Sequence, residues 1–262
     1  PSTYARPYGV SAEALLAALP PGTGYVNPDA LVPDSVKLTL GVPLTELPAF
    51  TQGLFFVQDP AATLVTTYAA LEPGSTVADL CAAPGGKALE YARHAALVVA
   101  ADRSVHRLGR VQSNVARLDA RGIVPIAMDA LQPALREVDA VVLDAPCTGT
   151  GTFRRHPDAR WRLKPSDLAV TATAQRALLN QAAAMVRPGG LLIYSTCSLE
   201  PEENDQPVEV FLATHPEFTL EPPPEGTVPA AVLDRGVLRV LPQRHGVDGA
   251  FAARLRRAPA PI

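Results

Sequence analysis

The 262-residue chain carries 23 Lys and Arg against 26 Asp and Glu, a net charge of −3, with 47% apolar and 19% charged residues. At about 150 residues per domain this is one or two domains with a sizeable core, and the balance excludes a disordered chain and a coiled coil. No apolar run reaches the roughly 18 residues of a membrane span, and the N-terminus lacks a signal-peptide layout.

Three widely spaced cysteines, Cys81, Cys147 and Cys197, set up no disulfide framework, so a reducing, cytoplasmic compartment is expected. With the five His they show no close metal-ligand spacing, which argues against zinc. The chain opens at Pro1 without Met, as a processed chain or a piece of a longer one would. A single-copy, monomeric protein is expected.

In chain order, residues 1–50 read as a small α+β unit with one helix over 11–19, capped by Ser11, and extended pieces such as 35–40. Residues 51–262 alternate strand and helix. Asp59-Pro60 is a cap followed by Pro at the first helical position and predicts a helix over 61–71. Strands are predicted at 76–80, 97–101, 124–128, 138–143 and 191–195, with helices over 87–94, 104–120 and 166–186 between them. A helix after Glu203 and Asn204 is expected to be interrupted at Pro207. Continuous apolar strands alternating with helices predict α/β architecture, a Rossmann-like parallel sheet covered on both faces.

In such sheets ligands sit at the carboxyl ends of the strands. Cys81, Asp102, Asp129, Asp144 and Cys197 all fall at predicted strand ends, and that convergence is the main functional signal. The turn from Asp79 to Lys87 has small residues and a helix start, yet lacks the G-x-G-x-x-G fingerprint, which disfavours a pyrophosphate. Asp102 is placed to accept ribose hydroxyls or to cap the following helix. An adenosine cofactor without pyrophosphate fits, with S-adenosylmethionine the obvious choice.

Two segments are locally basic. Arg154, Arg155, Arg160, Arg162 and Lys164 face only Asp158 over 154–164, a net +4; Arg239, Arg244, Arg254, Arg256 and Arg257 face only Asp248 over 239–257, again +4. They are solvated faces or a site for a polyanion. The first follows Cys147 closely and is expected to border a substrate entrance, with Arg154, Arg155 and Arg160 as contacts to the phosphates of a polyanion. Trp161 is expected to pack, with stacking on a base as the alternative, and His156 to hydrogen-bond to loop carbonyls rather than to touch the bound strand. His245 and Asp248 fall in a turn before the last strand and are given no chemistry.

The strings DLCAAPGGK, LDAPCTGTGTFRRHPD and YSTCSLEPEEN, flanked by FVQDPAATL and RHGVDGAFAARLRR, resemble the RNA 5-methylcytosine methyltransferases of the Sun or RsmB-like group over about residues 50–257. The first fifty residues resemble, more weakly, the small RNA-binding subdomain of that group. Longer relatives carry a further RNA-binding domain. The resemblance implies an S-adenosylmethionine-dependent enzyme acting on ribosomal RNA. It assigns cofactor contacts to Cys81, Ala82, Ala83, Pro84, Gly85, Gly86, Lys87, Asp102, Asp129 and Asp144. Asp144 would also face the target cytosine, with a protonated carboxyl donating to N3. Cys197 would be the nucleophile, and Cys147 would assist breakdown of the adduct.

The residue types suit that chemistry. C5 of cytosine is a poor nucleophile until a thiolate adds to C6, and a second group must then help remove the C5 proton. A catalytically idle RNA-binding assembly factor, a transfer RNA methyltransferase and a DNA cytosine methyltransferase are the alternatives. In the last of these the nucleophile occupies the Pro-Cys position, so the extra Thr-Cys thiol favours RNA.

Overall fold

The computed structural model describes residues 2–27 and 30–261. The N-terminal unit comprises β1 (Thr3–Pro7), α1 (Ala12–Ala18), β2 (Gly24–Val26), β3 (Val36–Leu38), α2 (Pro48–Thr51) and β4 (Phe55–Val57). The strands form an antiparallel sheet in the order β2-β3-β1-β4. Ser11 caps α1 as predicted, its Oγ accepting from the Ala14 N–H. Ala5, Leu15, Val36, Leu47 and Phe55 close the small core. Because β4 belongs to this sheet, the unit runs to Val57, and the boundary read at residue 50 moves. Phe55-Phe56-Val57 is too short a run to show its own periodicity.

The larger unit follows in alternating order: α3 (Pro60–Ala69), β5 (Thr76–Leu80), α4 (Gly86–Tyr91), β6 (Leu97–Asp102), α5 (Val105–Arg117), β7 (Ile123–Ala127) and β8 (Val138–Asp144). Then come α6 (Ala159–Arg162), α7 (Pro165–Ala184), β9 (Val186–Thr196), α8 (Asp205–Thr214) and β10 (Phe218–Leu220). The chain ends with β11 (Leu233–Asp234), β12 (Val237–Val240), α9 (Pro242–His245) and β13 (Ala250–Arg257). The parallel block has the order β9-β8-β5-β6-β7, extended beside β9 by antiparallel β13, β12 and β11.

Alternation along the strands shows why both faces are covered. Ala78, Leu80, Val141, Leu143, Leu192 and Tyr194 pack with Leu178, Leu179 and Ala182 of α7 and Phe211 of α8. Their neighbours Val77, Ala140, Val142, Leu191 and Ile193 point the other way, onto Ala88 and Leu89 of α4 and Leu108 and Val111 of α5. The α/β reading and the both-faces expectation hold.

Two local expectations change. Val186 is the first residue of β9, not the last of the preceding helix: it pairs with Val138, and the register shifts before Ala140 meets Leu191, so 187–190 form an irregularity within the strand. Pro207 does not interrupt α8. It lies in the first turn, where N–H groups have no intrahelical acceptor to lose.

Three arginines join the two units. The Arg6 guanidinium pairs with Glu90 at 2.9 Å, Arg93 donates to the Pro7 carbonyl, and Arg117 donates to the carbonyls of Phe50 and Phe55.

Candidate active site

Strand order delivers the site. The chain runs outward from β5 through β6 to β7, then crosses back to place β8 on the other side of β5. Carboxyl ends on either side of such a reversal leave a crevice for ligands. Cys81 leaves β5, Asp102 ends β6, Asp144 ends β8 and Cys197 leaves β9, with Asp129 just beyond β7. The predicted convergence on one edge is present.

At the β8 and β9 end the two thiols meet. Cys147 Sγ and Cys197 Sγ are 3.4 Å apart, within hydrogen-bond reach. Beside them Lys87 Nζ lies 2.6 Å from Asp144 Oδ2, while the Ser195 hydroxyl donates to Asp144 Oδ1 at 2.9 Å. Asp144 therefore accepts at both oxygens. Both contacts use it as an acceptor, where a donating carboxyl is expected from the sequence. In this geometry the donor next to the thiols is Lys87, which the sequence had assigned only to the cofactor. Burial alone would lower the Lys87 ammonium, but Asp144 more than offsets this and holds it above its usual range.

The loops bearing the thiols are held from behind by residues not singled out in the sequence. Glu203, fully buried, accepts from the Thr148 N–H at 2.9 Å and also from the Thr148 hydroxyl and the Gln175 amide. Gln175 donates as well to the Pro146 carbonyl. Asn204 accepts from the Thr196 hydroxyl and donates to the Ser198 carbonyl, straddling Cys197. Gly151 donates to the Cys197 carbonyl at 2.9 Å, and Gly249 donates to Gly151. A Cβ on Gly151 would lie 2.6 Å from the Cys197 oxygen and 2.8 Å from Gly249 Cα, so only glycine permits this approach. A buried glutamate shortly after the Thr-Cys pair was the available signal; it had been read as part of a helix start.

The pair is electrostatically unequal. The hydrogen bond shared with Cys147 lowers Cys197 below an ordinary thiol; burial and Asp144 oppose this, and the Lys87 ammonium assists. The same hydrogen bond, with burial, pushes Cys147 well up. Burial, with three carboxylates nearby, pushes Cys81 to about 12. Thiolate is the reactive form. Iodoacetamide near pH 7 is accordingly expected to label Cys197 at least about tenfold faster than Cys147 or Cys81. Its rate should level off with rising pH below the midpoint of a free thiol, near 8.5. Peptide mass mapping against time reads the order, and first labelling at Cys81 would contradict the assignment.

Between β5, β6 and β7 lies a cleft of about 410 Å³ lined by Cys81, Asp102, Asp129, Arg107 and the apolar Met128, Ala130, Leu131, Pro146 and Leu178. Of the predicted turn only Cys81 lines it. Ala82, Ala83, Pro84, Gly85, Gly86 and Lys87 are not among its lining residues; the Cβ position of Gly85 abuts Val111, and that of Gly86 abuts the Gln58 amide. The helix cap that Asp102 was offered belongs to Ser104, whose Oγ accepts from the Arg107 N–H. Asp102 instead accepts from the Ser104 and Ala83 N–H groups and faces Arg107 at 3.5 Å. Asp79, in the middle of β5, is fully buried with neither carboxylate oxygen hydrogen-bonded among the described residues. Burial, then repulsion from Asp144, raises it to about 8 against the opposing pull of Lys87.

The basic loop differs from expectation. Arg154 and Arg155 each pair with both Asp59 and Asp248, forming a four-residue lock at the base of the loop. Their guanidiniums are committed to carboxylates, so the expected phosphate contacts at these two positions are corrected; Arg160 remains exposed. Asp59 also caps α3, accepting from the Ala61 N–H at 2.9 Å. His156 is exposed, and its ring makes no hydrogen bond among the described residues. Trp161 does not pack: it is 84% exposed.

An α/β sheet with helices on both faces, a crevice at the strand reversal and reactive groups along its carboxyl edge define a Rossmann-like enzyme. The sequence matches the 16S rRNA methyltransferase RsmB/F model over residues 66–256, and the chain belongs to that methyltransferase family. It is 38% identical to a probable ribosomal RNA small subunit methyltransferase B from Synechocystis sp., over 82% of this chain and 50% of the relative. It is likewise 38% identical to the ribosomal RNA small subunit methyltransferase B of Pasteurella multocida, over 86% of this chain and 52% of the relative. The chain spans about half the length of these curated relatives. Among solved structures, a methyltransferase homolog from Pyrococcus horikoshii superposes with a TM-score of 0.78 at 27% identity, covering 98% of this chain and 87% of that one. NSun6 from the same organism, solved with the S-adenosylmethionine analogue SFG, gives 0.73 at 31% identity, covering 85% and 59%.

Proposed function

We propose that this chain is the catalytic region of an S-adenosylmethionine-dependent methyltransferase acting at C5 of a cytosine in small-subunit ribosomal RNA. The observation that carries the reading is the thiol pair, 3.4 Å apart, at the same sheet edge as the Lys87–Asp144 pair and an acid-lined cleft. The names of the curated relatives support the substrate class.

The cleft suits the cofactor. Asp102 and Asp129 offer carboxylates to hydroxyl and amino groups, while Met128, Leu131 and Leu178 offer an apolar slot for a flat ring. When bound, S-adenosylmethionine supplies an electrophilic methyl group on a sulfonium. Cys197, ionised with the help of the Cys147 thiol and Lys87, adds to cytosine C6 and pushes electron density onto C5. Lys87, anchored by Asp144, is the nearby cation for the charge that develops on N3 and O2. Once Cys197 is bonded to carbon it no longer holds the Cys147 proton. After C5 has taken the methyl group, Cys147 gives its proton to solvent, the resulting thiolate takes the C5 proton, and the C5–H electron pair forms the C5–C6 double bond as Cys197 leaves as thiolate.

The test is transfer of labelled methyl from S-adenosylmethionine to undermodified ribosomal and transfer RNA. The expected result is 5-methylcytidine in digests of the ribosomal RNA. No transfer to any RNA, with cofactor binding intact, refutes the proposal; transfer to transfer RNA alone reassigns the substrate. Among the described residues no helix is long and apolar enough to cross a membrane.

A further inference from the structure

The loop that follows the thiols is rigid at its base and bare at its tip. Glu203 pins Thr148, Gly151 is bonded to the Cys197 carbonyl, and the lock fixes Arg154 and Arg155. Beyond Arg155 the chain climbs through consecutive turns, from Thr152 to His156, His156 to Ala159 and Asp158 to Trp161, into the four-residue α6. At that tip Trp161, the sole tryptophan of the chain, is 84% exposed. Arg160, Arg162 and Lys164 around it are exposed against one exposed carboxylate, Asp158, and the Arg160 guanidinium lies 5.8 Å from the Phe153 ring.

A tryptophan ring gains much from being covered, and this residue type is enriched at interfaces. The chemistry around it selects the partner. An indole face flanked by guanidiniums accepts a flat, electron-rich base and its neighbouring phosphates. Position agrees: nine residues of turn and helix beyond Thr152, at about 1.5–2 Å each, keep Trp161 within roughly 18 Å of the thiol loop. That is a few nucleotides along a bound strand.

We propose that Trp161 stacks on an unpaired RNA base a few nucleotides from the target cytosine, with Arg160 and Arg162 on the adjoining phosphates. The proposal rests on the reading of the enzyme as one that acts on RNA.

Trp161 is its own reporter. Titrating the protein with a short single-stranded RNA containing a central cytosine, while following tryptophan emission and RNA anisotropy together, should give quenching that saturates with binding. Trp161→Ala should weaken RNA binding about 5- to 100-fold and raise KM for RNA more than it lowers kcat, and Trp161→Phe should recover part of the loss. RNA binding with unchanged emission and equal affinity of the alanine variant would overturn the stacking role while leaving the methyltransferase reading intact. Failure to bind or methylate any RNA would overturn both. Emission that changes with protein concentration in the absence of RNA would assign the tip to a second copy of the chain and also overturn it.

Discussion

Alanine at position 197 is expected to abolish methyl transfer, by at least about a thousandfold, with the fold intact. The loss is large because the thiolate makes the substrate reactive; orientation of the reactants cannot replace it. Serine should fare little better, since its hydroxyl is far from ionised at neutral pH. Transfer of labelled methyl to RNA measures the loss, and thermal melting checks that the variant folds. Cys197 makes one side-chain hydrogen bond, to Cys147, so its removal leaves the supports from Gly151 and Asn204 in place. Retention of a tenth of the activity would exclude Cys197 as the nucleophile.

Cys147→Ala should behave differently. Cys197 loses the donor that favours its ionised form, so addition to C6 slows. Elimination suffers more, because the group released to accept the C5 proton is gone. The expected result is a protein–RNA adduct that survives denaturant, seen as a retarded band in a denaturing gel after incubation with RNA and S-adenosylmethionine. The band should be absent from the Cys147→Ala, Cys197→Ala double variant. A Cys147→Ala enzyme that turns over freely and leaves no adduct would remove Cys147 from the elimination step.

The sheet was legible because each central strand is a short apolar run ended by a polar residue, so both the parallel block and its reactive edge could be read from spacing. The thiol pair followed from the same logic, since both cysteines lie just past strand ends. What escaped was action at a distance in sequence. Lys87 was read with its own turn, yet it reaches residue 144. Glu203 was read as a helix start, yet it holds Thr148. Arg154 and Arg155 read as free cations because their partners, Asp59 and Asp248, stand more than 90 residues away in the chain. Charge counted along the chain cannot show that pairing. Asp79 reads as the start of a turn, and nothing in the sequence shows that it is buried without a partner; β4 is too short to declare itself.

The lock that joins Asp59, Arg154, Arg155 and Asp248 also bears on maturation. Its last carboxylate enters the polypeptide about a hundred residues after Cys147 and about fifty after Cys197. During synthesis both sulfurs therefore exist well before their scaffold is complete, and competence arrives only when the final strand docks beside β9. A truncation ahead of Gly246 would keep every reacting group and still leave the loop without its anchor.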